Sequence, residues 1–163
     1  MKGLPPRPED GHKGSFGTVG VIGGCDDEGI MMVGAPALAA RAALRSGCGR
    51  AVIMSPSGVL PSILSVCPSA TGCLLRDEQE VIAAFQSEVQ ALLIGPGLGR
   101  SRVASGALSS LLDSNGPPLV MDADAIHLYA ALGCPRASRC MIWTPHPGEA
   151  MVLAQALGIV DQS

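Results

Sequence analysis

Five short apolar runs, closed by glycine, proline, aspartate or serine, constrain this 163-residue chain more than any other feature. They read TVGVIGG (18–24), RAVIMS (50–55), ALLIG (91–95), PLVMD (118–122) and CMIWT (140–144). Continuous runs of this length suit strands buried on both faces of a parallel sheet. Helical segments separate them. GAPALAARAALRSG is alanine-rich, carries Pro36 near its first turn and stops at Gly47. DEQEVIAAFQ opens on acids, which favour a helix start. SRVASGALSSLLD offers Ser101 as an N-cap, with Val103, Ala107, Leu108, Leu111 and Leu112 as apolar positions. DAIHLYAAL and GEAMVLAQAL are short and periodic. The stretch 56–76 is less regular: a Pro- and Ser-rich turn, a short helix, then CPSATGCLL as an edge strand. Strand and helix alternate, so the expectation is one α/β domain over 1–163. It has three layers, αβα, around a mostly parallel sheet.

Composition removes several classes of function. Apolar residues are 47% and charged residues 15%, as in a globular chain. The net charge is −3 and there are only four aromatic side chains: Phe16, Phe85, Tyr129 and Trp143. A non-specific nucleic-acid binder is usually basic, and a base-stacking platform needs more rings, so no nucleic-acid partner is expected. The most apolar stretch, IMMVGAPALAA, falls short of the roughly 18 residues of a membrane span and contains a proline. The start, MKGLPPRPEDGHKGSFG, has no apolar signal core. A cytoplasmic protein with no membrane partner is the expectation. Cys25, Cys48, Cys67, Cys73, Cys134 and Cys140 form no CxxC pair, and they read as reduced, structural thiols.

In parallel α/β sheets ligands bind beyond the carboxyl ends of the strands. The unusual residues of this chain, GGCDD, GPGLG, DADA and TPHPGE, all follow an expected strand. Four turns from distant parts of the chain would then line one rim. GPGLG (95–99), with Gly97 and Gly99, offers backbone N–H groups that a phosphate or carbonyl can approach, beside the start of the Ser101 helix; equally, it is a tight strand-to-helix turn. It matches neither GxGxxG nor GxxxxGK[ST]. In DADA (122–125), Asp124 suits a helix N-cap, whereas Asp122, at the strand end, suits ribose hydroxyls or a metal-bound water. In TPHPGE (144–149), two prolines stiffen the chain around His146, which lowers the entropic cost of meeting a ligand; the alternative is a structural cap with Glu149 in the first helical turn. Lys13, in HKGSFGTVGVIGG, faces either a phosphate or solvent; His12 is ambiguous and His127 reads as a packed or solvated helix residue.

Taken together, HKGSFGTVGVIGGC, GAPALAARAALRSGCG, LLIGPGLG, LVMDADA and TPHPGEA resemble, in this order and over nearly the whole chain, the ADP/ATP-dependent NAD(P)H-hydrate dehydratases. The resemblance implies a ribokinase-like fold, ATP or ADP with Mg²⁺ as cofactors, and hydrated NADH or NADPH as the small-molecule substrate. It implies that Gly34, Ala35, the turn around Gly97 and Gly99, and His146 contact the hydrated dinucleotide, with Asp122 in the phosphate or metal region, to which Lys13 is also assigned. No metal ligand is assigned. Two departures stand out. Asp26 to Val33 replaces a shorter, usually Tyr-containing turn of relatives. The Gly-rich GGTGD segment, which in relatives forms an anion hole and supplies the catalytic base, does not occur in the 163 residues, so no catalytic residue is assigned. The fold is therefore expected to be incomplete at its C-terminal side, inactive alone, and prone to homo-oligomerise through an open edge. The alternatives are another ribokinase-like small-molecule kinase and a non-catalytic dinucleotide-binding remnant.

Overall fold

A computed structural model describes residues 8–27, 29–76 and 79–160. After a single 3-10 turn at Lys13–Phe16 come β1 (Thr18–Ile22), β2 (Cys25–Asp27), β3 (Ile30–Met32), α1 (Gly34–Arg45), β4 (Arg50–Ser55), α2 (Leu60–Val66), β5 (Thr71–Leu74) and α3 (Gln79–Ser87). The chain continues as β6 (Ala91–Ile94), α4 (Arg102–Leu112), β7 (Leu119–Met121), α5 (Asp124–Ala131), β8 (Met141–Trp143) and α6 (Pro147–Ala156). All five expected strands form, and the edge strand forms as β5. The acids expected to open α3 lie at 77–78, outside the described residues.

Six strands make one sheet in the order β5-β4-β1-β6-β7-β8, every pair parallel. Winding runs outward one way from β1 through β4 to β5, and the other way from β6 to β8. The reversal between β1 and β6 is the place where adjacent loops diverge and leave a crevice. Apolar burial on both sheet faces explains the unbroken runs. One face packs Val21, Ala37, Ala40, Ile53 and Ile63 under α1 and α2. The other packs Ile22, Leu92, Ile94, Leu108, Leu111 and Met121 under α3, α4 and α5.

Two features were not foreseen. GGCDD does not stay a loop: Cys25–Asp27 and Ile30–Met32 pair antiparallel as a separate hairpin. Secondly, Arg139 is 9% exposed and pairs with no carboxylate among the described residues. It donates from Nη1 to Leu111 O at 3.0 Å and from Nη2 to Gln86 Oε1 at 3.3 Å. Burial lowers its pKa, and the acceptor at the C-terminal end of α4 carries the negative end of that helix dipole. The guanidinium so clamps the loop that leads into β8. Beyond β8 no strand pairs with the sheet among the described residues. Ile142, Met151, Leu157 and Ile159 stand exposed on β8, α6 and the turn after it. No helix of the described residues is long and apolar enough to cross a membrane.

Candidate functional site

The carboxyl ends of the sheet form one continuous row. Gly23 N–H donates to Met54 O (3.2 Å), Gly95 N–H to Ile22 O (3.0 Å), Asp122 N–H to Ile94 O (3.1 Å) and Thr144 N–H to Met121 O (3.1 Å). Each turn therefore leaves the sheet beside the next, at the strand spacing of about 4.8 Å. Gly97, Asp122 and His146 all stand on this rim, within two residues of that row.

The GPGLG turn is built by its own covalent chemistry. Leu98 N–H donates to Gly95 O at 3.0 Å, closing a four-residue turn. Proline at the second position and a glycine at φ +61°, Gly97, at the third suit a type II turn. The following N–H, from Gly99, donates to Asp124 Oδ2 at 3.0 Å, and Arg100 Nε lies 3.3 Å from Asp124 Oδ1. Asp124 is thus a brace between two turns rather than the expected N-cap of α5; the N-cap position is Ala123, which makes no side-chain cap bond. The Gly99 N–H is consequently spent inside the protein, unlike the free anion donor envisaged for this turn.

Asp122 points its Oδ1 at the Thr144 hydroxyl, which donates to it at 2.7 Å. This link joins the DADA and TPHPGE turns. Between the two aspartates Ala123 sits at φ 49°, ψ −123°. An L-residue there stores strain of order 1–3 kcal/mol, and such strain concentrates where a turn is over-determined by its surroundings. Neither Ala123 nor the Thr144 partner of Asp122 was identified from the sequence. A strained backbone leaves no mark in residue identity, and a threonine before proline has many uses.

His146 answers the question its prolines raised. It is the N-cap of α6: its Nδ1 accepts from Gly148 N–H at 3.0 Å and Glu149 N–H at 3.4 Å, while Glu149 Oε2 accepts from His146 N–H at 2.9 Å. Pro147 begins the helix at the position where a missing N–H costs nothing. A Cβ on Gly148 would lie 2.9 Å from His146 Cε1, so any larger residue there would have to displace the imidazole. The structural role considered for this motif is therefore realised. The opposite ring edge, Nε2, is 3.2 Å from Glu149 Oε1, yet the side chain remains 66% exposed and open to a ligand. His12 repeats the device one rim away: its Nδ1 accepts from Gly14 N–H at 3.1 Å.

Gly34 and Ala35 start α1 and reach the same rim. The Ala35 Cβ is 3.7 Å from where a Cβ on Gly97 would lie, and nothing approaches the corresponding position on Gly34 within 4 Å. Lys13 does not join them. It precedes β1, and its carbonyl crowds Gly49, just before β4, so it lies on the amino-terminal rim. The five residues of β1 separate it from the row above by roughly 15 Å. Lys13 and Asp122, both expected in the phosphate or metal region, lie at different edges of the sheet, because a residue before a parallel strand and a residue after one occupy opposite rims.

A cleft of about 390 Å³ opens at the rim between Asp26, Asp27, Arg100 and Ser101. It adjoins a second of about 350 Å³ that reaches Pro56, Ser57, Leu75 and Leu98. Of the rim residues named above, Arg100 and Leu98 line these clefts, whereas Gly97, Asp122 and His146 do not. Cys25 borders the second; burial and then the Asp27 charge push its thiol pKa up, so it packs as a neutral group. All six cysteines are free. Among the described residues no group of three histidine, cysteine or acidic side chains converges as a metal site.

A family profile described as NAD(P)H-hydrate dehydratase matches residues 19–163. The chain belongs to the NAD(P)H-hydrate dehydratase family. A bifunctional NAD(P)H-hydrate repair enzyme of Thermanaerovibrio acidaminovorans is 37% identical over 161 residues, covering 92% of this chain and 30% of that protein. The fold is similar to a ribokinase-like superfamily protein of Enterococcus faecalis, with a TM-score of 0.75 and 27% identity over 91% of this chain and 52% of that one. It is similar also to the ADP/ATP-dependent NAD(P)H-hydrate dehydratase of Bacillus subtilis co-crystallised with ATP/Mg²⁺, with a TM-score of 0.72 and 36% identity over 92% of this chain and 51% of that one. The architecture is thus α/β and ribokinase-like, as expected. The chain spans about half the length of these solved relatives.

Proposed function

We propose that this chain carries the substrate-side rim of an ADP- or ATP-dependent NAD(P)H-hydrate dehydratase, working in the cytoplasm on hydrated NADH or NADPH. One observation carries the reading: Gly97, Asp122 and His146, distant in sequence, share a single rim with Gly34 and Ala35. Membership of the family supplies the substrate class. The chemistry asked of such a site is the removal of a hydroxyl from the nicotinamide ring. Hydroxide leaves poorly. Transfer of a phosphoryl group to that oxygen, with its proton passing to a base, converts it into phosphate; loss of phosphate and of a ring proton restores the dihydropyridine.

The residues of the rim bind and orient. The exposed His146 imidazole meets a polar group of the dinucleotide by exchanging the 3.2 Å contact of Nε2 with Glu149 Oε1, while Nδ1 stays committed to the helix start. Gly34 leaves room for backbone approach. Asp122 keeps Oδ2 unengaged among the described residues, its Oδ1 being held by Thr144. One carboxylate suits a Mg²⁺ ion that arrives on nucleotide phosphates and retains its waters, and no larger cage is needed. The uncharged, partly apolar surface of β8 and α6 supports self-association of the chain.

The test is calorimetric titration of the protein with hydrated NADPH, with unmodified NADPH and a thiazole alcohol as comparators. Selective binding of the hydrate is expected; preference for the alcohol would instead support a small-molecule kinase of the ribokinase-like group. His146 gives a sharper version. His146→Ala is expected to cost about 1 kcal/mol of stability, a fall in Tm of a few degrees, because the cap is lost. His146→Asn keeps a cap acceptor and should melt within about 0.5 kcal/mol of the parent. Both variants should bind the hydrate at least about tenfold more weakly, one lost hydrogen bond to a polar ligand. Undiminished affinity in the Asn variant would leave His146 with a structural role alone.

A further inference from the structure

Arg139 precedes β8, so it lies at the opposite edge of the sheet from the rim. It is buried without a carboxylate partner among the described residues. Its fork spans two helices: Nη1 reaches Leu111 O at the end of α4, and Nη2 reaches Gln86 Oε1 near the end of α3. The third donor, Nε, is buried and unpartnered. A buried guanidinium without a counterion carries a desolvation cost that two bonds to neutral acceptors only partly offset. Both acceptors also lie within reach of the Ser114 hydroxyl, at 3.2 Å from Leu111 O and 3.4 Å from Gln86 Oε1. Exchange of buried ions for apolar side chains of similar size is often close to neutral for stability. What the guanidinium supplies is geometry, a planar fork that fixes one loop against two helices.

The strand after it needs such a fix. β8 has three residues and pairs with β7 in the register Leu119 to Met141, Val120 to Ile142 and Met121 to Trp143. Met141 and Trp143 pack against the core, whereas Ile142 is exposed. That alternation decides which face turns inward, but a slip of two residues preserves it. Such a slip would carry Thr144 about 7 Å along the strand, away from Asp122. Two side chains bracket β8 against sliding. Arg139 holds its start, and the Thr144 hydroxyl, on Asp122 Oδ1 at 2.7 Å, holds its end. The second contact belongs to the rim, so the first is the anchor outside it.

We propose that Arg139 is a positioning residue of the rim: clamped to α3 and α4, it fixes β8 along its axis and so holds Thr144 against Asp122 and sets where His146 stands. Its consequence for ligand binding rests on the reading of the rim as a dinucleotide site.

Three variants are compared with the parent: Arg139→Met, Arg139→Lys and Gly116→Ala. A Cβ on Gly116 would collide with Arg139 Nη2, so that variant displaces the guanidinium without removing its charge, and it decides the matter if Arg139→Met does not fold. The first readout needs no ligand. It is hydrogen exchange at the Thr144 amide, bonded to Met121 O, against the Asp122 amide, bonded to Ile94 O. Arg139→Met and Gly116→Ala are expected to quicken exchange at Thr144 at least about tenfold and to leave Asp122 unchanged, with Tm within a few degrees of the parent. Arg139→Lys keeps a donor and should stay within about threefold of the parental rate. Equal quickening of both amides in step with a fall in Tm would make the role purely structural, and an unaltered Thr144 amide would overturn the clamp. The second readout is calorimetric binding of hydrated NADPH, expected to weaken at least about tenfold in the same two variants and to recover in Arg139→Lys. Parental affinity in a variant whose Thr144 amide has loosened overturns the link from β8 to the site and leaves the family reading standing. Absence of hydrate binding by the parent, with the exchange difference intact, overturns the dinucleotide reading and leaves the clamp.

Discussion

Gly95→Ala is expected to be the most damaging single-methyl addition at the rim. Gly95 lies at φ +122°, outside the range L-residues adopt readily, and a Cβ there would stand 1.7 Å from the carbonyl oxygen of Asp122. That oxygen cannot retreat freely. It accepts from Ala125 N–H at 3.1 Å, and the Asp122 N–H is tied to Ile94 O. Backbone strain and overpacking act together, so a loss of about 4 kcal/mol or more is expected. For a chain of this size that is a fall in Tm on the order of 10 °C, read by thermal melting. A drop under about 1 kcal/mol would mean the rim is far softer than its hydrogen bonds suggest. Because Gly95 and Asp122 are adjacent, the same substitution should also abolish hydrate binding in whatever fraction stays folded.

The polypeptide of residues 1–163 is expected to show no ADP- or ATP-dependent repair of hydrated NADH, even where it binds the hydrate. Phosphoryl transfer to a hydroxyl needs a base for its proton and preorganised donors for the developing charge. Among the carboxylates of the DADA and TPHPGE turns, Asp124 is held by Gly99 and Arg100, and Glu149 by the His146 backbone; Asp26 and Asp27 line the neighbouring cleft. Asp122 is shared with Thr144. The Gly99 N–H is already bonded to Asp124. The resemblance implies that the base and the anion hole come from a GGTGD segment these residues do not contain; loss of a general base costs about 10²–10⁴ in rate and of an anion hole about 10²–10³, so activity is expected at least about 10⁴-fold below a full-length relative. The assay is recovery of the dihydropyridine absorbance. Turnover within tenfold of a relative would show that these residues contain a base and an anion site that the resemblance does not assign.

Much of the fold was legible because buried parallel strands leave an unmistakable trace. RAVIMS is β4 to the residue, and the other runs overshoot by only one or two positions, where the turn residues begin. Caps were legible where the chemistry is local: Ser101 accepts from Ala104 N–H at 3.2 Å, as its place before an apolar face implied. Asp124 illustrates the opposite case. Its position at the head of a helix suggested a cap, but a partner 25 residues away outcompeted the local one. Lys13 shows a different limit, since its distance from Asp122 depends on which end of β1 it borders.

By itself, then, the order of residues determined what is written in local periodicity and stiffness: six parallel-sheet strands, the helices between them, the turn at Gly97 and the rigid approach to His146. Only tertiary structure decided which donors remain free. Gly99 spends its N–H on Asp124, Asp122 is joined to Thr144, and Lys13 stays at the opposite edge of the sheet. The physical reason is that a hydrogen bond between distant turns depends on strand order and register, and those are set by the packing of the whole sheet rather than by any stretch of neighbouring residues.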